Sequence, residues 1–111
     1  MQTIKVKPLS VNKAYRGRRF STPEHTKYIK DAMLSIKKTK LPPSPYHITY
    51  KFGYSSPLSD VDGAIKNFQD ILQKKFGFND RDVFSIFAEK VIVKKGSEFI
   101  SFEIFTYQKL H

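Results

Sequence analysis

Apolar residues recur along this chain with two different periods. Across Tyr46–Tyr54 the period is two. Tyr46, Ile48, Tyr50, Phe52 and Tyr54 alternate with smaller or polar positions, which predicts a strand with one buried face. Residues 3–8 alternate Ile4 and Val6 with Lys5 and Lys7, a first strand with one wet face. The period then becomes helical. Thr22 is a good N-cap with Pro23 at the first helical position, and Tyr28, Ile29, Ala32, Met33 and Ile36 follow at helical spacing. The basic run Lys37, Lys38 and Lys40 suits the C-terminus of that helix. Residues 41–45, with three prolines, read as a rigid connector.

A second helix is expected from about Asp62 to Lys75. Ala64, Ile65, Phe68, Ile71 and Leu72 form its apolar stripe, and Gly77 is its stop. A turn at residues 78–82 leads to two more strands, about 83–94 and 98–107. Lys95-Gly96-Ser97 reads as the turn of a hairpin joining them. Residues 10–19 are polar, basic and broken by Gly17, a loop or short irregular hairpin. The order β-α-β-α-β-β describes a small α+β domain, two helices packed on a mixed β-sheet. One domain is expected to span residues 1–111.

Composition narrows the chemistry. The chain has no cysteine, which removes disulfides, thiolate zinc sites and cysteine nucleophiles together. Residues 1–10 lack the apolar run of a leader, and no stretch is apolar enough to span a membrane, so a soluble intracellular protein is expected. A formal charge of +10 on 111 residues points to a polyanion, most naturally nucleic acid. The charge is uneven. Eleven of the twenty Lys and Arg lie in residues 1–40, which carry +9 of the total.

Residues 41–111 are close to neutral and contain five aspartates in one window: Asp60, Asp62, Asp70, Asp80 and Asp82. Carboxylates repel phosphate unless a cation stands between them. Asp60 and Asp62, two apart at a helix entrance, can share such a cation, although one of them can equally serve as an N-cap. Lys66 follows Asp62 by four, either as an ordinary exposed ion pair or as a charge that steadies a phosphate beside a metal. Asp80 and Asp82 sit where turn-forming aspartates are common, so a structural role and a role with the pair both stay open.

In the N-terminal third, Asn12, Lys13, Arg16, Arg18 and Arg19 are interleaved with Tyr15 and Phe20, a pattern suited to phosphate contacts. His25, His47 and His111 show no ligand spacing and read as structural or surface residues. There is no phosphate-binding glycine loop, dinucleotide fingerprint or Ser-His-Asp arrangement.

Taken in order, these residues resemble a known family. Ser10-Val11-Asn12 precedes an Arg-rich loop, and Arg19-Phe20-Ser21-Thr22 enters a helix. Asp60-Val61-Asp62 follows with Lys66, then Gly77-Phe78-Asn79-Asp80-Arg81-Asp82-Val83. The order and spacing, from Ile4 to Phe105, are similar to the RusA-type Holliday-junction resolvases, small phage- and prophage-associated endodeoxyribonucleases.

The resemblance implies a RusA-like fold and a homodimer in the bacterial cytoplasm that nicks four-way DNA junctions in pairs. Mg²⁺ would be the cofactor, with Mn²⁺ as a substitute. It assigns Asp60, Asp62 and Asp80 as catalytic metal ligands and Lys66 as the catalytic lysine. Asp80 is chosen over Asp82 because Val83 stands at the family's hydrophobic position three residues after the acid. The chain departs from the family pattern at Gly63, usually Asn; at Asn79, often Asp; and at Ser59, often basic. Two rival classes are a non-enzymatic basic module for branched or single-stranded DNA, whose strand Tyr46–Tyr54 would stack bases, and an RNA- or ribosome-associated protein.

Overall fold

The computed structural model describes residues 1–9, 15–16 and 20–109, and for residues 15, 16, 20 and 21 the backbone alone. Its strands are β1 (Gln2–Ile4), β2 (Tyr15–Arg16), β3 (Phe20–Ser21), β4 (Tyr46–Tyr54), β5 (Val83–Ile92) and β6 (Phe99–Thr106). Two helices, α1 (Pro23–Ser35) and α2 (Val61–Phe76), and a 3₁₀ turn at Asp80–Asp82 complete it. The four-stranded sheet runs β1-β6-β4-β5, while β2 and β3 form a separate antiparallel ribbon. The class is α+β with a mixed sheet: β4 pairs parallel with β5 and antiparallel with β6.

The strand with the strongest alternation takes the middle of the sheet. Tyr46, Ile48, Tyr50, Phe52 and Tyr54 are all buried, with Ile48 and Phe52 fully enclosed. They meet Ala64, Phe68, Ile71 and Leu72 of α2 and Tyr28 and Ala32 of α1 in one core cluster. Phe68 stands edge-on to Tyr50 at 6.1 Å between ring centroids and packs against Phe102 at 5.6 Å. Burying a ring of this size stabilises the fold by about 1.5–3 kcal/mol. The apolar row is therefore unavailable for stacking bases.

The start of α1 and the end of α2 follow local chemistry. Thr22 caps α1 through its side chain, which accepts from the His25 N–H, and Pro23 opens the first turn. Gly77 ends α2 in the left-handed region (φ 79°), and its N–H returns to the Gln73 carbonyl.

Three sequence expectations change. Strand β1 stops at Ile4, opposite Ile100; β6 begins only one residue further, at Phe99, so from Val6 onward there is no opposite strand, although Val6 and Leu9 still bury. The basic run Lys37, Lys38 and Lys40 lies after α1 rather than in its last turn. The helix ends at Ile36, whose side chain is buried, and Lys37 is then tied to β1. Its N–H donates to Gln2 Oε1 at 2.9 Å, and Gln2 Nε2 donates to its carbonyl at 2.8 Å.

The third change concerns the expected hairpin. Strands β5 and β6 do not pair with each other; β4 lies between them. The turn itself is real, with Ser97 N–H bonded to the Lys94 carbonyl and Gly96 at φ 95°. A turn signal is local, however, while the choice of partner is decided by which strand buries best, and β4 has the continuous apolar face.

Among the described residues one buried side-chain polar atom is unsatisfied: the Tyr28 hydroxyl has no hydrogen-bond partner there. The Tyr50 hydroxyl, also buried, donates to Gln69 Oε1 at 2.8 Å. Removing an unbonded hydroxyl relieves a desolvation cost, while removing a bonded one leaves its acceptor stranded. Tyr28→Phe is expected to leave stability unchanged or raise it by about 1 kcal/mol, and Tyr50→Phe to lower it by about 1–2 kcal/mol. Urea denaturation of the two variants checks the contrast.

Candidate active site along helix α2

The acidic pair sits where α2 begins. Asp60 is the N-cap, and its Oδ1 accepts from the Asp62 N–H at 3.1 Å. The pair is thus held together by the first turn of the helix, and both carboxylates are exposed. Behind them the buried Tyr54 hydroxyl donates to the Asp60 carbonyl at 3.1 Å. Lys90, from β5, donates to the carbonyls of Pro57 and Ser59 at 2.7 and 2.9 Å, fixing the loop just before Asp60. Burial, and then the nearby Asp60 charge, push the Tyr54 hydroxyl up to about 12.

Asp62, Lys66, Gln69 and Gln73 follow one another by four, three and four residues and so share one face of α2. Asp80 approaches that face from the 3₁₀ turn. Its Oδ1 accepts from Gln69 Nε2 at 2.7 Å and, more weakly, from Gln73 Nε2 at 3.4 Å. Gln69 is in turn the acceptor for Tyr50, so a relay runs from the core through Tyr50 and Gln69 to the Asp80 carboxylate. Burial, and then the Asp80 charge, hold the Tyr50 phenol well above its usual range. A groove lined by Ile65, Lys66, Asn67, Gln69, Asp70, Asp80 and Ile86 brings Lys66 and Asp80 onto one surface.

The expected residues are therefore only partly gathered. Lys66 stands one turn beyond Asp62 and shares the groove with Asp80, but Asp80 is bonded at Gln69, seven residues along α2. At about 1.5 Å per residue that is roughly 10 Å along the axis. Among the described residues no three carboxylates or histidines form a group that could hold a metal ion. The Asp60–Asp62 pair does fit Mg²⁺, which is commonly held by one or two carboxylates with substrate phosphate completing its shell. Asp82 serves the turn instead, accepting from the Asn79 N–H at 3.3 Å.

In the basic segment, Asn12, Lys13, Arg18 and Arg19 lie outside the described residues, and Arg16 is described only as backbone in β2. The described lysines of the N-terminal third, Lys5, Lys7, Lys27, Lys30, Lys37, Lys38 and Lys40, are all exposed. His25 is buried, and His47 bonds Ser85 through Nδ1 at 2.6 Å; His111 lies outside the described residues.

Two functional candidates were not visible in the sequence pattern. Gln69 orients Asp80, and buried Asn67 donates to the Leu9 carbonyl at 2.8 Å, anchoring the chain just before the basic segment. The available signal was that both flank Phe68 as uncharged amides on a helix otherwise rich in charge.

No family model matches the chain, and no curated protein is significantly similar to it. No helix is long and apolar enough to cross a membrane among the described residues.

Gln69→Leu removes the partner of Tyr50 and of Asp80 together. It is expected to cost about 1–3 kcal/mol, most of it from the stranded Tyr50 hydroxyl. Adding Tyr50→Phe should recover part of that loss, a non-additivity read from a double-mutant cycle of denaturation midpoints. A second expectation concerns alkali. Because the Tyr54 hydroxyl titrates higher in the folded chain than in the unfolded one, its contribution is complete below pH 10 and is lost as pH rises toward 12. Tyr54→Phe should flatten the fall in stability across that window, measured by denaturation at stepped pH.

Proposed function

We propose that the chain is a Mg²⁺-dependent, structure-selective endodeoxyribonuclease that resolves four-way DNA junctions by paired nicks in recombination and repair. In this reading it works as a homodimer in the cytoplasm of a bacterial host, encoded by a phage or prophage. The supporting observation is the surface of α2, which carries the Asp60–Asp62 pair at its N-terminus and joins Lys66 to Asp80 in one groove. The resemblance of the motif order to the RusA-type resolvases points the same way.

In the proposed chemistry Asp60 and Asp62 hold the ion. Bound Mg²⁺ supplies Lewis-acid polarisation of the phosphate and a more acidic water. Lys66, with its ammonium on the same helical face, stabilises the negative charge that builds on the phosphoryl oxygens. Asp80 is the third carboxylate of the proposal. Gln69 occupies its Oδ1, which leaves the second oxygen to accept from a water in the groove. Asn12, Lys13, Arg16, Arg18 and Arg19, with the exposed lysines of the first forty residues, supply the sequence-independent phosphate grip, which is salt-sensitive by nature. A two-fold dimer would present two such sites to the two strands of a nearly two-fold junction.

The separation of Asp80 from the acidic pair favours a second reading, a non-enzymatic module that binds branched DNA. One experiment divides the two. A labelled synthetic four-way junction is incubated with the protein in Mg²⁺, in Mn²⁺ and in chelator. The nuclease reading expects paired nicks with either metal and none in chelator. Asp60→Asn, Asp62→Asn and Lys66→Ala should each reduce the rate by about 100-fold or more with junction binding retained. Binding without nicks in every condition, or full cutting by Asp60→Asn, overturns the assignment.

A further inference from the structure

The helices cover one face of the four-stranded sheet and leave the other open. The alternation that buries the Tyr46–Tyr54 row sends His47, Thr49, Lys51 and Gly53 to the open side. Neighbouring strands bring rings to the same side: Phe87 beside Thr49, Phe105 beside His47 and Phe99 beside Gly53. Phe84, at the irregularity where β5 joins β4, packs on Tyr107 at 5.3 Å between ring centroids. Phe84, Phe87 and Phe105 are 61, 59 and 41% exposed.

These rings are held in place. His47 lies against Phe105 at 6.1 Å and bonds Ser85 Oγ through Nδ1 at 2.6 Å. Phe99 lays its ring over Gly53, in the space a Cβ would occupy there. Along the paired strands of this face the apolar side chains are rings, Val91 excepted.

We propose that the open face binds an unpaired DNA strand, its rings stacking on the bases and the lysines around them meeting the phosphates. Bases in a duplex cover one another's faces, so only an unpaired strand can offer them to a sheet. Stacking asks for no particular base, because every base has a π-face. The site lies across the sheet from α2 and is separate from the acidic pair; the choice of DNA rests on the reading above.

Charge selects the occupant. The two carboxylates on the paired strands of this face are already engaged, Glu89 with Lys51 at 3.4 Å and Glu103 with the Met1 ammonium at 3.3 Å. At the Phe99 end, Lys5 and Lys7 are exposed on either side of buried Val6, and the turn carrying exposed Lys94 and Lys95 crosses toward β6. Glu98, leaving that turn, accepts from the Gly96 N–H at 2.8 Å. Lys109 stands exposed just beyond Tyr107 at the other end. A phosphate chain is drawn to such a surround on a chain of charge +10, whereas a second copy brings the same surplus and is repelled.

The test uses a fluorescent oligo-dT of about 15 nucleotides and the full chain, in chelator so that no metal-dependent cutting intrudes. Phe87→Leu and Phe105→Leu keep the apolar surface and remove the π-faces. Each is expected to weaken binding about 5-fold or more, while affinity for a duplex of equal length changes less than about 2-fold. Leu34→Ala, 76% exposed on α1, should leave both affinities unchanged. The chain has no tryptophan, so Phe87→Trp installs a single reporter whose emission should be quenched as the oligomer binds. All three positions are exposed, so denaturation midpoints should stay near the parent's. If a leucine variant fails to fold, the tryptophan reporter still decides.

Absent binding of the oligomer, equal affinity in the parent and both leucine variants, or an unquenched Phe87→Trp overturns the proposal. Tighter binding of an oligo-rU of the same length does so too. Phe87→Trp emission that shifts with protein concentration alone marks the face as a contact between copies, and overturns it as well. Stacking here without any nicking leaves this inference standing and removes the nuclease reading; nicking of junctions by a chain that ignores oligo-dT does the reverse.

Discussion

The parallel pairing of β4 with β5 is the constraint from which the rest of the molecule follows. Two neighbouring strands that run the same way cannot be joined by a tight turn; the chain must travel back along the sheet before starting the second strand. Helix α2 makes that return. Its apolar face closes over the aromatic row of β4, and its length determines where its two ends emerge. The acidic pair therefore appears at the end of β4, and Asp80 at the start of β5, with the polar face of α2 between them. The spread of the carboxylates along the helix is a direct consequence of the crossover.

Polar contacts then refine what the crossover places. Lys90 and the Tyr54 hydroxyl grip the loop entering α2 from two sides, so the first turn starts at Asp60 and brings Asp62 beside it. At the other end Gln69 couples Asp80 to a hydroxyl buried in the core. A carboxylate oriented through an amide that is itself anchored in the interior loses little freedom when it meets a ligand, because its geometry is already set by packing. The arrangement is polar without being strongly paired, which leaves Lys66 and both aspartates of the pair facing solvent.

How much of this could be read from the residues depends on whether the deciding interaction is local. The Thr22-Pro23 helix start, the alternation of β4 and the Gly77 stop are written in neighbouring residues, and each appears where expected. The order β-α-β-α-β-β follows from the same patterns. The pairing of β5 was not legible, because Lys95-Gly96-Ser97 is a sound turn whether or not the strands beside it touch. The aspartates were legible as candidates, since short carboxylates are unusual in so basic a chain. Their relative positions were not, because they depend on the contacts of Gln69, an amide with no periodic signature. The end of α1 belongs with these: Gln2, thirty-five residues upstream of Lys37, helps to hold the chain where the helix stops.

Asn67 gives the molecule a fixed point of attachment. Its amide, on the same helix as Asp62 and Lys66, holds the carbonyl of Leu9, the residue after which the arginine-rich segment begins, while the Leu9 side chain is itself buried in the core. Packing and one buried hydrogen bond therefore tether the root of that segment to the middle of α2, the helix that also displays the acidic pair. Whatever the segment does, it does from an origin whose place relative to Asp60 and Asp62 is set by the fold.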